Sequence, residues 1–156
     1  MTLRQKLLLV PPVLLLAIQA VRFEQTNPPV TQELDAPPEV RAVLERACYD
    51  CHSNKTVYPW YSNLAPGSWL MHRDVVEGRK ELNFTEWDKV REEKKGAKLR
   101  HIVKETKEGE MPPWFYLPLH SAAKLSDADR ALLAAWVLRV AGPAPAKKAV
   151  EKQHED

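Results

Sequence analysis

Cys48-Tyr49-Asp50-Cys51-His52 constrains this chain more than any other stretch, because the five residues spell C-x-x-C-H. Two thiols three positions apart on one helical turn lie close enough to add to the two vinyl groups of a single porphyrin. The imidazole next to the second thiol is then held under the iron. Cys48 and Cys51 are therefore the candidate covalent anchors of one haem c, and His52 is its candidate proximal ligand. Tyr49 and Asp50 carry no required chemistry in this pattern.

Two other uses of such a cysteine pair stand beside this one. A redox disulfide belongs next to a strand-helix-strand pattern, and nothing before Cys48 alternates like a strand. Half of a zinc site needs a second pair of ligands, yet these are the only two cysteines and the histidines are scattered. His52 directly after Cys51 favours haem over both.

The N-terminus carries a different signal. Arg4 and Lys6 precede an uncharged run from Leu7 to Val21, and Arg22 returns the chain to polar sequence. A basic flank before an apolar run directs a chain to the membrane and places the remainder of the polypeptide on the outer, periplasmic side. Fifteen helical residues reach about 22 Å against a hydrocarbon core of roughly 30 Å, so an anchor here is short. Lys6 and Arg22 can snorkel to make up length. Cleavage after Ala20 is less favoured, because Ile18 is not the small residue that a signal-peptidase site wants. Residues 1–22 thus read as an uncleaved anchor on the periplasmic side of the inner membrane, with an exported soluble protein as the alternative.

Residues 23–36, with Pro28 and Pro29, read as an extended linker. From 37 to 142 no strand pattern of any strength appears and helical periodicity recurs. Val40, Val43, Leu44 and Ala47 mark one face of a helix from about Glu39 to Cys48, begun by Pro37-Pro38. Ser68 is a candidate cap for a helix to about Arg79, with Gly78 weakening its last turn. Thr85-Glu86 opens another helical piece, and Gly96 interrupts a charged run. A helix from about Ala97 to Lys107 ends at Gly109. Ser126 caps the last helix, whose apolar face is Leu132, Leu133, Trp136, Val137 and Val140, and Gly142-Pro143 stops it. Residues 143–156 read as a disordered tail. With 44% hydrophobic and 28% charged residues the chain has the composition of one modest domain, here all-α, and its net charge of +2 signals no nucleic-acid partner. Tyr58, Trp60 and Tyr61 are expected to pack on haem or core, since no basic stripe accompanies them.

Met111, in Glu110-Met111-Pro112-Pro113-Trp114, is the candidate distal ligand. A thioether on a stiff, proline-supported loop suits the sixth iron position, and Met1 and Met71 compete poorly from the membrane end and from within a helix. His72, His101 and His120 compete for the same position, which can also stand open.

The order helix, C-x-x-C-H, aromatic loop, helices, Met-Pro loop and closing helix resembles the c-type cytochrome fold, in which the first and last helices cross beside the haem. More narrowly, Cys48–Asn54, Tyr58–Asn63, Leu82–Trp87 and Glu108–Pro113 resemble segments of the bacterial haem-binding domain family, over about residues 36–140 plus the short N-terminal hydrophobic segment common in such proteins. That resemblance implies covalent haem c and an extracytoplasmic location. It carries no settled activity and no defined partner.

Two classes of function suit such a chain. With His52 and Met111 on both faces of the iron it is an electron carrier, which needs a redox partner protein that the residues do not name. With Met111 absent or displaceable it is a haem enzyme of peroxidase type or a small-ligand sensor.

Overall fold

Proline at the first position of a helix loses no hydrogen bond that the helix could have made, and Pro38 opens α2 (Pro38–Ala47) in this way. In the computed structural model, which describes residues 3–145, α2 comes after α1 (Leu3–Ala17) and a 3-10 turn, Ile18–Ala20. The order continues with α3 (Tyr49–His52), α4 (Gly67–Glu81), α5 (Glu92–Glu108) and α6 (Asp127–Ala141). Among the described residues there is no strand, only an isolated parallel bridge between Gln32 and Glu86, so the fold is all-α.

The helical periodicity converges on one core. Val40, Val43 and Leu44 of α2 meet Leu99 and Ile102 of α5 and Leu133, Trp136 and Val137 of α6, and Tyr49, Phe84 and Trp87 close the cluster. Leu44 and Leu133 are almost wholly excluded from solvent, and each such burial contributes about 1.5–3 kcal/mol. α6 packs along α5 and touches α2, which leads directly into the C-x-x-C-H turn.

Several boundaries differ from those expected. α4 begins at Gly67 with Pro66 before it, so Ser68 lies inside the first turn and caps nothing. Thr85 starts no helix; it is a fully buried loop residue, and the short 3-10 turn comes later, at Trp87–Lys89. α5 begins at Glu92 rather than Ala97 and absorbs Gly96, its first turn carrying Glu92 and Glu93 where the helix end is positive. Gly109 caps α5 in the left-handed conformation, φ 79°, as a glycine does at that position.

Residues 23–36, expected as a free tether, are extended but bonded to the domain along their length. Asn27 Nδ2 donates to Thr56 O, Leu34 N donates to Phe84 O, and Leu34 is buried. This polar, proline-containing sequence looks like a linker because a strap held by backbone hydrogen bonds needs no apolar pattern. None of the described helices is long and apolar enough to cross a membrane. α1 is nonetheless apolar, with Leu8, Leu14, Leu15 and Leu16 exposed. Beyond Pro145 the expected disordered tail lies outside the described residues.

Ser126 does cap α6. Its hydroxyl accepts from Asp129 N at 3.1 Å while the Asp129 carboxylate accepts from Ser126 N at 2.8 Å, a reciprocal capping box. Arg46 of α2 pairs with the same carboxylate. Together the Ser126 hydrogen bonds and Arg46 hold Asp129 down at about 2. A depressed carboxylate stabilises the fold above its ordinary pKa and loses that contribution as pH falls through the folded value. Asp129→Asn is therefore expected to cost about 1 kcal/mol at neutral pH, with the difference from the wild type shrinking between roughly pH 4 and pH 2. Urea unfolding across that range measures it.

Candidate functional site

The C-x-x-C-H motif is a separate helical turn. Cys48 breaks α2 with φ −130°, and Cys51 N and His52 N both return to Cys48 O, at 3.2 and 2.9 Å. Cys48, Cys51 and His52 thus share one backbone turn. Both thiols are free and partly buried. Burial pushes each thiol up to about 12, which keeps it protonated at neutral pH. Among the described residues no three His, Cys, Asp or Glu side chains gather to hold a metal ion.

His52 is the most informative residue. Its Nδ1 lies 2.9 Å from Gly78 O and 3.1 Å from Leu82 O. Both partners are acceptors, so Nδ1 carries the proton and the lone pair is left on Nε2. The acceptors are carbonyls at the C-terminal end of α4, where the helix carries partial negative charge; Gly78 O also accepts from Leu82 N at 2.9 Å. Burial lowers the His52 pKa, so the ring stays neutral and Nε2 keeps its lone pair. A neutral imidazole with Nδ1 bonded to a backbone carbonyl and Nε2 free is the arrangement of a metal-ligating histidine. Together with two unpaired thiols on the same turn, it fits haem of the c type.

Close contact between α3 and α4 makes those bonds possible. At Gly78 an added Cβ would meet Cys51 O at 2.5 Å and Cys51 C at 3.0 Å, both backbone atoms. Only glycine lets the two helices approach so far. Gly78 looks from the sequence like a defect in a helix; it is the point at which α4 receives the motif.

The loop after α4 locks the motif from below. Phe84 N donates to His52 O at 2.8 Å, and the Phe84 ring stacks on Tyr49 at 5.4 Å. Asn54 N donates to Thr85 Oγ1, Asn83 Nδ2 donates to Asn54 Oδ1, and Thr85 Oγ1 donates to Asn83 Oδ1, all buried. Arg79 ties the same region to the N-terminal strap, its guanidinium donating to Ser53 O, Thr26 O, Asn27 Oδ1 and Thr56 Oγ1. A satisfied buried network of this kind fixes one geometry. Nothing in the sequence assigns these roles, although Leu82–Trp87 stands out by resemblance.

Tyr49 and Asp50 also have tasks. Tyr49 is a core residue, and Asp50 accepts from Val57 N through Oδ1 and from the Tyr116 hydroxyl through Oδ2 at 2.6 Å. Burial and that carboxylate raise the Tyr116 pKa. Tyr116 stacks flat on His120, with centroids 3.8 Å apart, and Tyr61 meets His120 edge-on. Thus the loop that carries Met111 is joined to the motif through Tyr116, five residues further on.

Met111 itself sits just after Gly109, its backbone N donating to Glu105 O, and is 38% exposed. Met71 is buried in α4 and is a packing residue. The three remaining candidate histidines have separate surroundings. His72 stacks on Phe23, His101 faces Glu105 on the exposed side of α5, and His120 belongs to the aromatic cluster beside Asp50.

The haem-binding domain family matches residues 13–139. The chain belongs to this haem-binding domain family. The match reaches back into α1, so the family unit includes the strap at 23–36 as well as α2 to α6. No curated protein and no solved structure gives a significant match. Within a haem-binding domain, the Nδ1-bonded His52 and the two free thiols are the residues whose chemistry suits the cofactor.

Proposed function

We propose that this haem-binding domain is a c-type cytochrome module that carries electrons on the periplasmic side of the inner membrane. Cys48 and Cys51 hold one haem through thioether bonds, His52 Nε2 is the proximal ligand and Met111 the distal one. The observation that carries the reading is the His52 Nδ1–H directed at Gly78 O and Leu82 O, which leaves Nε2 as the ligating atom. Haem ligated by His and Met exchanges one electron at a raised potential. The chain's residues hold the ligands in place: α4 orients His52, and the Asn54-Asn83-Thr85 network fixes the turn. Leu7–Val21 roots the chain in the bilayer. A redox protein is its partner.

The exposure of Met111 supports a second reading, in which the sixth position is displaceable and the domain senses or transforms a small ligand. Visible spectra of the haem-loaded protein, oxidised and reduced, with and without carbon monoxide, test the choice. Low-spin iron in both states that resists carbon monoxide is expected; a high-spin spectrum favours the second reading.

A further inference from the structure

No slack chain separates α1 from the domain. Ala65 N donates to Gln19 Oε1 at 2.9 Å and Gln19 Nε2 returns to Ala65 O at 3.1 Å. Two residues on, Val21 O accepts from the Trp69 indole at 3.0 Å, and Phe23 stacks on His72 at 4.3 Å. Gln25 Nε2 then donates to Ser62 O. The end of α1 is therefore fastened to the loop 60–66 and the first turns of α4 by groups from alternate residues. α1 is exposed on all sides: Leu8, Val13, Leu14, Leu15 and Leu16 are each more than half exposed. At about 100° per residue these positions span the whole circumference, which is the pattern of a helix surrounded by apolar medium.

Next to the fastening point lie two large apolar side chains with no cover. Leu64, adjacent to Ala65, is 51% exposed, and Trp60, on the neighbouring 3-10 turn, is 71% exposed. Tryptophan, with an apolar body and a polar N–H, is enriched at the boundary between lipid and water. A phospholipid surface fits this pair better than a protein partner does, because Leu64 directly precedes Ala65, whose backbone bonds Gln19 at the end of the apolar helix.

We propose that Trp60 and Leu64 form a bilayer-contacting edge, so that the haem domain is seated on the membrane surface instead of hanging from a tether. This rests on the proposed rooting of Leu7–Val21 in the bilayer. Seating also orients the haem motif, because Tyr61, beside Trp60, contacts His120, which stacks on Tyr116, the partner of Asp50. A redox partner then reaches the haem by moving along the membrane.

In the haem-loaded full chain both native thiols are consumed, so a cysteine introduced at another position takes a spin label alone. The test compares Leu64→Cys with Arg139→Cys on α6, each labelled in protein reconstituted into phosphatidylethanolamine and phosphatidylglycerol vesicles, with an unchanged haem spectrum as the check on folding. The label at 64 is expected to collide severalfold more with oxygen, which partitions into lipid, than with a water-soluble nickel chelate. The label at 139 is expected to show the reverse. A label at 64 that remains open to nickel while the chain floats with the vesicles overturns the seating and leaves the tethering intact. Failure of the chain to float overturns the tethering reading and the seating with it. Equal shielding of position 64 in detergent micelles and vesicles, with self-association in the micelles, assigns the patch to a second copy of the chain and also overturns the proposal.

Discussion

Gly78→Ala separates α4 from the attachment turn and lowers stability by about 3 kcal/mol, with loss of the native haem spectrum. The methyl group would lie 2.5 Å from Cys51 O, a backbone atom that no rotamer change can move. One of the two helices must shift, and the shift lengthens the bond from His52 Nδ1 to Gly78 O, now 2.9 Å. His52 then loses the restraint that directs Nε2. Gly96→Ala is the control, since its added Cβ meets chiefly the movable Arg100 guanidinium, at 3.2 Å. Helix propensity makes that change worth up to about 1 kcal/mol of added stability. Urea unfolding and visible spectra of the two variants check the pair. Equal behaviour of both would mean that the close approach at Gly78 does not govern the site.

Met111→Ala is expected to convert a closed site into an open one. Loss of a soft thioether removes the ligand that favours ferrous over ferric iron, so the potential falls and carbon monoxide binds the reduced protein. The packing loss itself should be small, because Met111 is 38% exposed. Met71→Ala should do the opposite, losing about 2–5 kcal/mol through a cavity in α4 while leaving the ligation spectrum alone. Potentiometric titration with carbon monoxide challenge separates the two. A Met111→Ala spectrum identical to the wild type would remove Met111 from the iron and favour the enzyme or sensor reading.

How much of the fold and site is legible in the sequence depends on the kind of residue. α2 and α6 are readable because Val40, Val43 and Leu44, or Leu133, Trp136 and Val137, repeat with the helical period and face one core. Gly109 and Ser126 are readable because caps impose local backbone and hydrogen-bonding demands. Cys48, Cys51 and His52 stand out because their C-x-x-C-H spacing is the one that covalent haem attachment needs. Gly78, Arg79, Asn83, Thr85 and Tyr116 carry no such local signal, since each acts on a partner distant in sequence: Gly78 on Cys51, Arg79 on Thr26, Tyr116 on Asp50. The strap at 23–36 reads as a linker for the same reason. Its attachments are mostly polar contacts to residues far along the chain, such as Gln25 to Ser62 and Asn27 to Thr56, which composition cannot reveal.

Everything proposed for the site rests on haem held covalently by Cys48 and Cys51, and one measurement addresses that directly. Haem-loaded protein is denatured and extracted with acidified organic solvent, beside a Cys48→Ser/Cys51→Ser double variant. The colour is expected to stay with the wild-type chain and to leave the double variant. Release of the wild-type colour into the solvent would contradict covalent attachment.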